Sequence, residues 1–244
     1  MLGYGVMPKA ATAGLLPEEA ARSKSRSSRP ANKFLKRSEK TCERQGTPKR
    51  KIQLWNVPVE ERVGGFMNIE NLILVNYCHP DCVPLKNIMR LAKEDAFAMA
   101  KKMAEAHPET TAFYRFSDFE NYYDLRLRQD EFLYSRFVEL GGEPEENHPL
   151  SFVIEGSDYL RDWFGNGIQT KLFLRDVDAR HVSFTLGDSG AMFGKNGFVE
   201  LLTLEDLKNR LGEFEGNFDD FLKDAGCHYV EVQLWSDKYC KYAD

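Results

Sequence analysis

The chain is divided near residue 67, and that division constrains the fold more than any single motif. Residues 1–66 carry 14 Lys and Arg against 6 Asp and Glu, a net charge of +8. That leaves 19 against 32 for residues 67–244, a net of −13, and the two parts sum to −5. The aromatic residues divide at the same place: Tyr4, Phe34, Trp55 and Phe66 stand before it and all the others behind it. A core needs large apolar side chains, so it belongs to the acidic part. The stretch 17–51 is rich in Ser, Arg and Lys and nearly without aliphatics. Burial there cannot offset the entropy of ordering, and a disordered basic extension is expected.

The extension has three readings: a basic arm for nucleic acid or a partner, an organelle transit peptide, or a leader without function. Gly64 and Gly65 stand just before Met67. Two Gly codons ahead of an ATG can spell a purine-rich ribosome-binding site. The expectation is therefore a natural start at Met67 in a bacterium-like host, with residues 1–66 outside the native protein. The strand-like piece 52–57 (IQLWNV) counts against it.

Other classes are disfavoured by composition. Pro8 and Lys9 interrupt the N-terminal apolar residues, so a secretory signal is not expected. No stretch approaches the roughly 18 apolar residues that cross a bilayer. Five cysteines form no disulfide-rich pattern, which fits reduced thiols and a cytoplasmic location. The acidic part is a poor match for nucleic-acid phosphates and a better one for a basic protein partner.

Within residues 67–244 the pattern predicts one α+β domain, with a mixed, mostly antiparallel sheet and three to four helices. Strands are expected at 71–77, 111–116 (TAFYRF), 150–155, 168–174, 181–186, 198–202 and 229–235. Helices are expected at 93–107, 203–211 and 217–223, with one long helix at about 117–140. Ser117 and Glu120 open that long helix in a capping-box pattern, and Gly141-Gly142 closes it. Phe119, Tyr123, Leu127, Tyr134, Phe137 and Val138 recur along it at helical spacing, while Arg126, Arg128, Asp130, Glu131 and Arg136 read as a charge-paired solvent face. In the last strand Tyr229, Glu231, Gln233 and Trp235 form a polar face opposite Val230, Val232 and Leu234.

Two local clusters carry chemistry. Cys78-His79-Pro80-Asp81-Cys82 offers soft ligands, and a pairing of the first and last strands would bring Cys78, Cys82, Cys227 and Cys240 together around zinc. The alternative is that Cys78 and Cys82 are small buried hydrophobes around a Pro turn. Gly187-Asp188-Ser189-Gly190 suggests a serine nucleophile, but Ala191-Met192 follows it and no positioned base is evident, so turn chemistry is the simpler reading. Asp158 to Gly165 is an aromatic-rich turn, suited to a partner contact or to packing over a sheet edge.

A third pattern is dispersed. Arg115, then Ser183 with Thr185, then Glu231 with Gln233 fall on three successive expected strands. This resembles the ADP-ribosyltransferase-like fold over about residues 111–235. The resemblance implies an NAD-binding enzyme in which Arg115 contacts the dinucleotide, Ser183 and Thr185 support the nicotinamide pocket, and Glu231 stabilises the oxocarbenium-like ribose. Gln233 departs from the branch that places its catalytic Glu second in the pair. Two other functions compete: a non-catalytic acidic protein that binds or inhibits a macromolecular partner, and a small zinc-stabilised domain.

Overall fold

A computed structural model describes residues 69–243. The basic extension, the Met67 start and the piece 52–57 lie outside the described residues. The domain is α+β, with a five-stranded sheet that is antiparallel throughout. Its strands are β1 (Ile73–Cys78), β2 (Leu150–Ile154), β3 (Ile168–Phe173), β4 (Val182–Leu186) and β5 (Val230–Leu234), in the order β3-β1-β2-β5-β4. The helices are α1 (Lys93–Ala106), α2 (Phe119–Glu139), α3 (Asp158–Trp163), α4 (Ser189–Asn196), α5 (Leu204–Glu213) and α6 (Phe218–Asp224). Among the described residues no helix is long and apolar enough to cross a membrane.

Two expected strands do not form. Residues 111–116 belong to a 3-10 helix, Thr111–Asp118, that runs straight into α2. The cause is a three-residue apolar repeat: Phe113, Phe116 and Phe119 share one buried face, with successive rings 5.4 and 5.3 Å apart. Because the 3-10 helix precedes α2, the expected capping box at Ser117 is not used, and the Ser117 hydroxyl donates to the Tyr114 carbonyl at 2.7 Å. Residues 198–202 make a single bridge, Leu202 to Phe184, along the outer edge of β4. The two helices beyond those expected, α3 and α4, begin where turns were read. Ser157 accepts the Leu160 amide at the start of α3, and Asp188 accepts the Ala191 amide at the start of α4. The expected capping box at Thr203 and Asp206 does form.

Strand alternation gives the sheet two faces. One carries Leu74, Phe152, Ile154, Val232 and Phe184, packed in one apolar cluster with Leu207 and Leu211 of α5 and Phe221 of α6. On the other face α2 lies over β5 and β4, where Leu133 and Phe137 meet Trp235. Leu160 and Phe164 of α3 and its C-terminal cap meet Val75, Tyr77 and Val153 on that same face.

Candidate functional site

The second face of the sheet carries most of the polar chemistry, and it has two halves. Under α2, the register sets Ser183 beside Gln233 and Thr185 beside Glu231. Ser183 donates to the Gln233 side-chain carbonyl at 3.0 Å and accepts the Trp235 indole N–H at 2.9 Å. The Gln233 amide donates to Thr185 at 3.2 Å, and Glu231 accepts the Ser189 backbone N–H at 2.8 Å. From above, Gln129 donates to the Ser189 hydroxyl at 2.8 Å, and Arg126 pairs with Asp130 at 3.0 Å. A ring nitrogen of His148 lies 2.7 Å from Asp130.

Four of the residues expected to form a site are therefore neighbours, but they are closed off: Ser183, Thr185, Glu231 and Gln233 are each at most 2 % exposed. The last strand does not turn its polar face to solvent, because α2 covers it with a matching polar stripe. Arg126 and Asp130 correspondingly lie in the core rather than on a solvent face, and Leu127 and Val138 are the exposed ones. Burial pushes the Glu231 carboxyl above the usual carboxylate range. Burial opposes the charge on Arg126, but Asp130 beside it holds the guanidinium protonated well above its ordinary range. Arg126 Nε and the Gln129 side-chain carbonyl have no hydrogen-bond partner. Such groups cost about 1–3 kcal/mol each, which the surrounding network has to offset.

Arg115 does not join this group. It sits in the 3-10 helix, not on a strand, and its guanidinium donates to the Tyr114 hydroxyl at 2.7 Å and lies over the Tyr114 and Tyr122 rings. The expected convergence of Arg115 with Ser183 and Glu231 on one cleft is absent among the described residues.

The four cysteines proposed for zinc do not assemble either. β2 separates β1 from β5, so the first and last strands are not paired. Cys78 and Cys82 stay together in the core, where burial pushes the Cys82 thiol up to about 12 and keeps it protonated. A different set gathers at the same turn: His79, Asp81 and His107 place one ligand atom each within 4.8 Å of one another. His107 follows the last residue of α1, far along the chain from the Cys78–Cys82 cluster.

The other half of the face is open. Beside α3 lies a groove of about 500 Å³, floored by Val75 and Tyr77 of β1 and by Gln169 and Lys171 of β3. Glu155, Asp158 and Asp219 line it, with Lys171 as the one Lys or Arg in the lining among the described residues. Asp158 is paired with Arg161 at 2.9 Å, and Glu155 accepts the Ile73 N–H at 2.9 Å. Glu155 and Gly156 both have positive φ, 58° and 83°, and this sharp corner aims the chain into α3. A Cβ at Gly156 would come within 3.0 Å of the Tyr77 hydroxyl, which itself accepts the Ser157 N–H at 2.8 Å.

Aromatic rings run from this groove across the surface. His228 stacks on Tyr159 at 5.7 Å, Tyr159 meets Trp163 at 5.7 Å, and Trp163 meets Tyr114 at 6.0 Å. Tyr159 and Tyr114 are 49 % and 48 % exposed, so half of each ring surface faces solvent. The aromatic turn of the sequence therefore packs over the sheet through Leu160 and Phe164, with Trp163 half-buried against them, while Tyr159 faces outward. A second hollow, of about 390 Å³ by α5, offers no free cations, since Arg136 pairs with Glu139 and Arg210 with Glu200.

No family model, curated protein or solved structure matches the chain.

Proposed function

We propose that the protein is a non-catalytic binding protein that holds an extended, basic segment of a partner protein in the groove beside α3. The observation behind this is the row Tyr114, Trp163, Tyr159 and His228, in which Tyr114, Tyr159 and His228 are exposed and Trp163 is half-buried between the two tyrosines, continuous with a groove whose carboxylates outnumber its cations. Exposed aromatic faces attract Lys and Arg by about 0.5–1 kcal/mol each, and Trp and Tyr are the residues most enriched among interface anchors. The net of −13 on residues 67–244 steers basic partners in the same direction. Enzymatic readings are less well supported, because the residues that would carry an NAD-dependent reaction are sealed beneath α2 or stand apart from it.

The test is a titration with an arginine- and lysine-rich peptide of about ten residues at low salt, followed by chemical shifts of the full chain. Saturable shifts centred on Tyr159, Trp163 and His228, abolished by Tyr159→Ala with Trp163→Ala and weakened by salt, support the proposal. Shifts scattered over the acidic surface, or unchanged in that double variant, overturn it.

A further inference from the structure

We infer that His79, Asp81 and His107 form a binding site for a divalent first-row transition ion of the zinc or iron(II) class. The site is built at the meeting of two elements. His79 and Asp81 lie on a tight turn just after β1, closed by Pro80 and by the Cys82 N–H donating to the His79 carbonyl at 2.8 Å. His107 is held at the end of α1 by its own N–H bond to the Met103 carbonyl at 3.0 Å. Neither imidazole is a freely swinging surface group: the Phe113 ring backs both, at 5.1 Å from His79 and 5.8 Å from His107.

The donor atoms converge. Asp81 Oδ2 is 3.0 Å from His107 Nε2, and the two imidazole centroids are 4.4 Å apart at 52°. Bonds of about 2.0–2.1 Å in tetrahedral geometry put ligand atoms roughly 3.4 Å apart, so the group closes on an ion by small side-chain rotations. On His79 the coordinating atom is Nδ1. It faces Asp81, whose N–H reaches it at a long 3.2 Å, whereas Nε2 lies toward Gly165. An ion at Nδ1 replaces that weak contact with a coordinate bond.

Two imidazoles with one carboxylate are borderline donors, unlike the all-oxygen shells of calcium and magnesium. The back of the site is buried, with His79 8 % exposed, and the front is open, with the Asp81 side chain 63 % exposed. Three protein ligands and an open front leave at least one position for water or an exchangeable ligand. The ion would also clasp the turn after β1 to the end of α1. The buried thiols of Cys78 and Cys82 flank the site without contributing to it.

The experiment uses the full chain, stripped with chelator and titrated with Zn²⁺ and, separately, with Co²⁺ as a visible-absorption probe. One ion per chain is expected, with Co²⁺ bands free of thiolate charge transfer. His107→Ala and Asp81→Ala, both at partly exposed positions, should fold and weaken binding by about 10-fold or more. Cys82→Ser and Cys240→Ser should leave it unchanged. Absence of stoichiometric binding at tens of micromolar free ion overturns the site, as does binding that survives His107→Ala or is lost instead with the cysteines. Iron(II) titrated without oxygen in competition with Zn²⁺ identifies the preferred member of the class, and failure of both to bind is again decisive against it.

Discussion

Two halves of one sheet face carry polar side chains, with opposite outcomes. Over β5 and β4 the polar residues are met by Arg126, Gln129 and Asp130 on α2 and lose nearly all contact with solvent. Over β1 and β3 the short helix α3 brings only apolar side chains, Leu160 with Phe164 of its cap, and Gln169 and Lys171 stay exposed in a groove edged by aromatic rings. Residue type alone does not decide which polar groups are available for binding. That depends on what the neighbouring helix brings: a complementary polar stripe takes up most of the donors and acceptors and shuts out solvent, and its absence leaves them open to a partner.

The carboxylates of the two halves separate this account most sharply. Asp130→Ala strands the buried Arg126 charge, and a loss of about 3–5 kcal/mol is expected in denaturant unfolding. Asp158→Ala, whose side chain is 88 % exposed, should change stability by no more than about 0.5 kcal/mol. Similar losses at both positions would break the comparison.

Glu231 offers a pH-dependent version of the same contrast. Its folded pKa is raised by burial, so the native state keeps the proton while the unfolded chain gives it up near the ordinary value of about 4.3. Its contribution to stability therefore falls as pH rises through that value, until the folded form also ionises. Glu231→Gln should remove this slope. Relative to the wild type, the variant should gain stability with rising pH above about 4.3 and level off once the native carboxyl titrates. A difference that does not change with pH would place Glu231 in a solvated setting.

A smaller effect is expected at a helix end remote from both halves. Thr203→Ala removes the side-chain half of the capping box on α5 and should cost about 1 kcal/mol. Smaller still, Tyr159→Ala should shift stability by about 0.5 kcal/mol or less, because half of that ring already faces water.

Much of the sheet was legible in the sequence, because short apolar runs of strand length mark β1 and β2, and apolar positions two apart mark β3, β4 and β5. The neighbourhood of Ser183, Thr185, Glu231 and Gln233 was legible too, since residues two apart share a face. Their burial was not. A polar face on a strand ordinarily meets water, and only pairing it with Arg126, Gln129 and Asp130, set within the apolar positions of α2, shows that it is covered. The segment 111–116 misled for a related reason: its aromatic content suits a strand, but the spacing of Phe113, Phe116 and Phe119 is three, not two. The aromatic row lay in the same blind spot, since Tyr114, Trp163, Tyr159 and His228 come from three separate segments that only the fold unites. His107 likewise reaches His79 and Asp81 through the packing of α1, not through any spacing along the chain.

The most direct test places one variant from each half in the same peptide titration. Glu231→Gln, an isosteric change that keeps an acceptor for the Ser189 N–H, should fold and bind the basic peptide as the wild type does, and Tyr159→Ala with Trp163→Ala should fold and fail to bind. If Glu231→Gln folds but loses the peptide, or if NAD⁺ raises the melting temperature in a way that Glu231→Gln abolishes, the sealed half is the working site and the assignment of roles to the two halves is wrong.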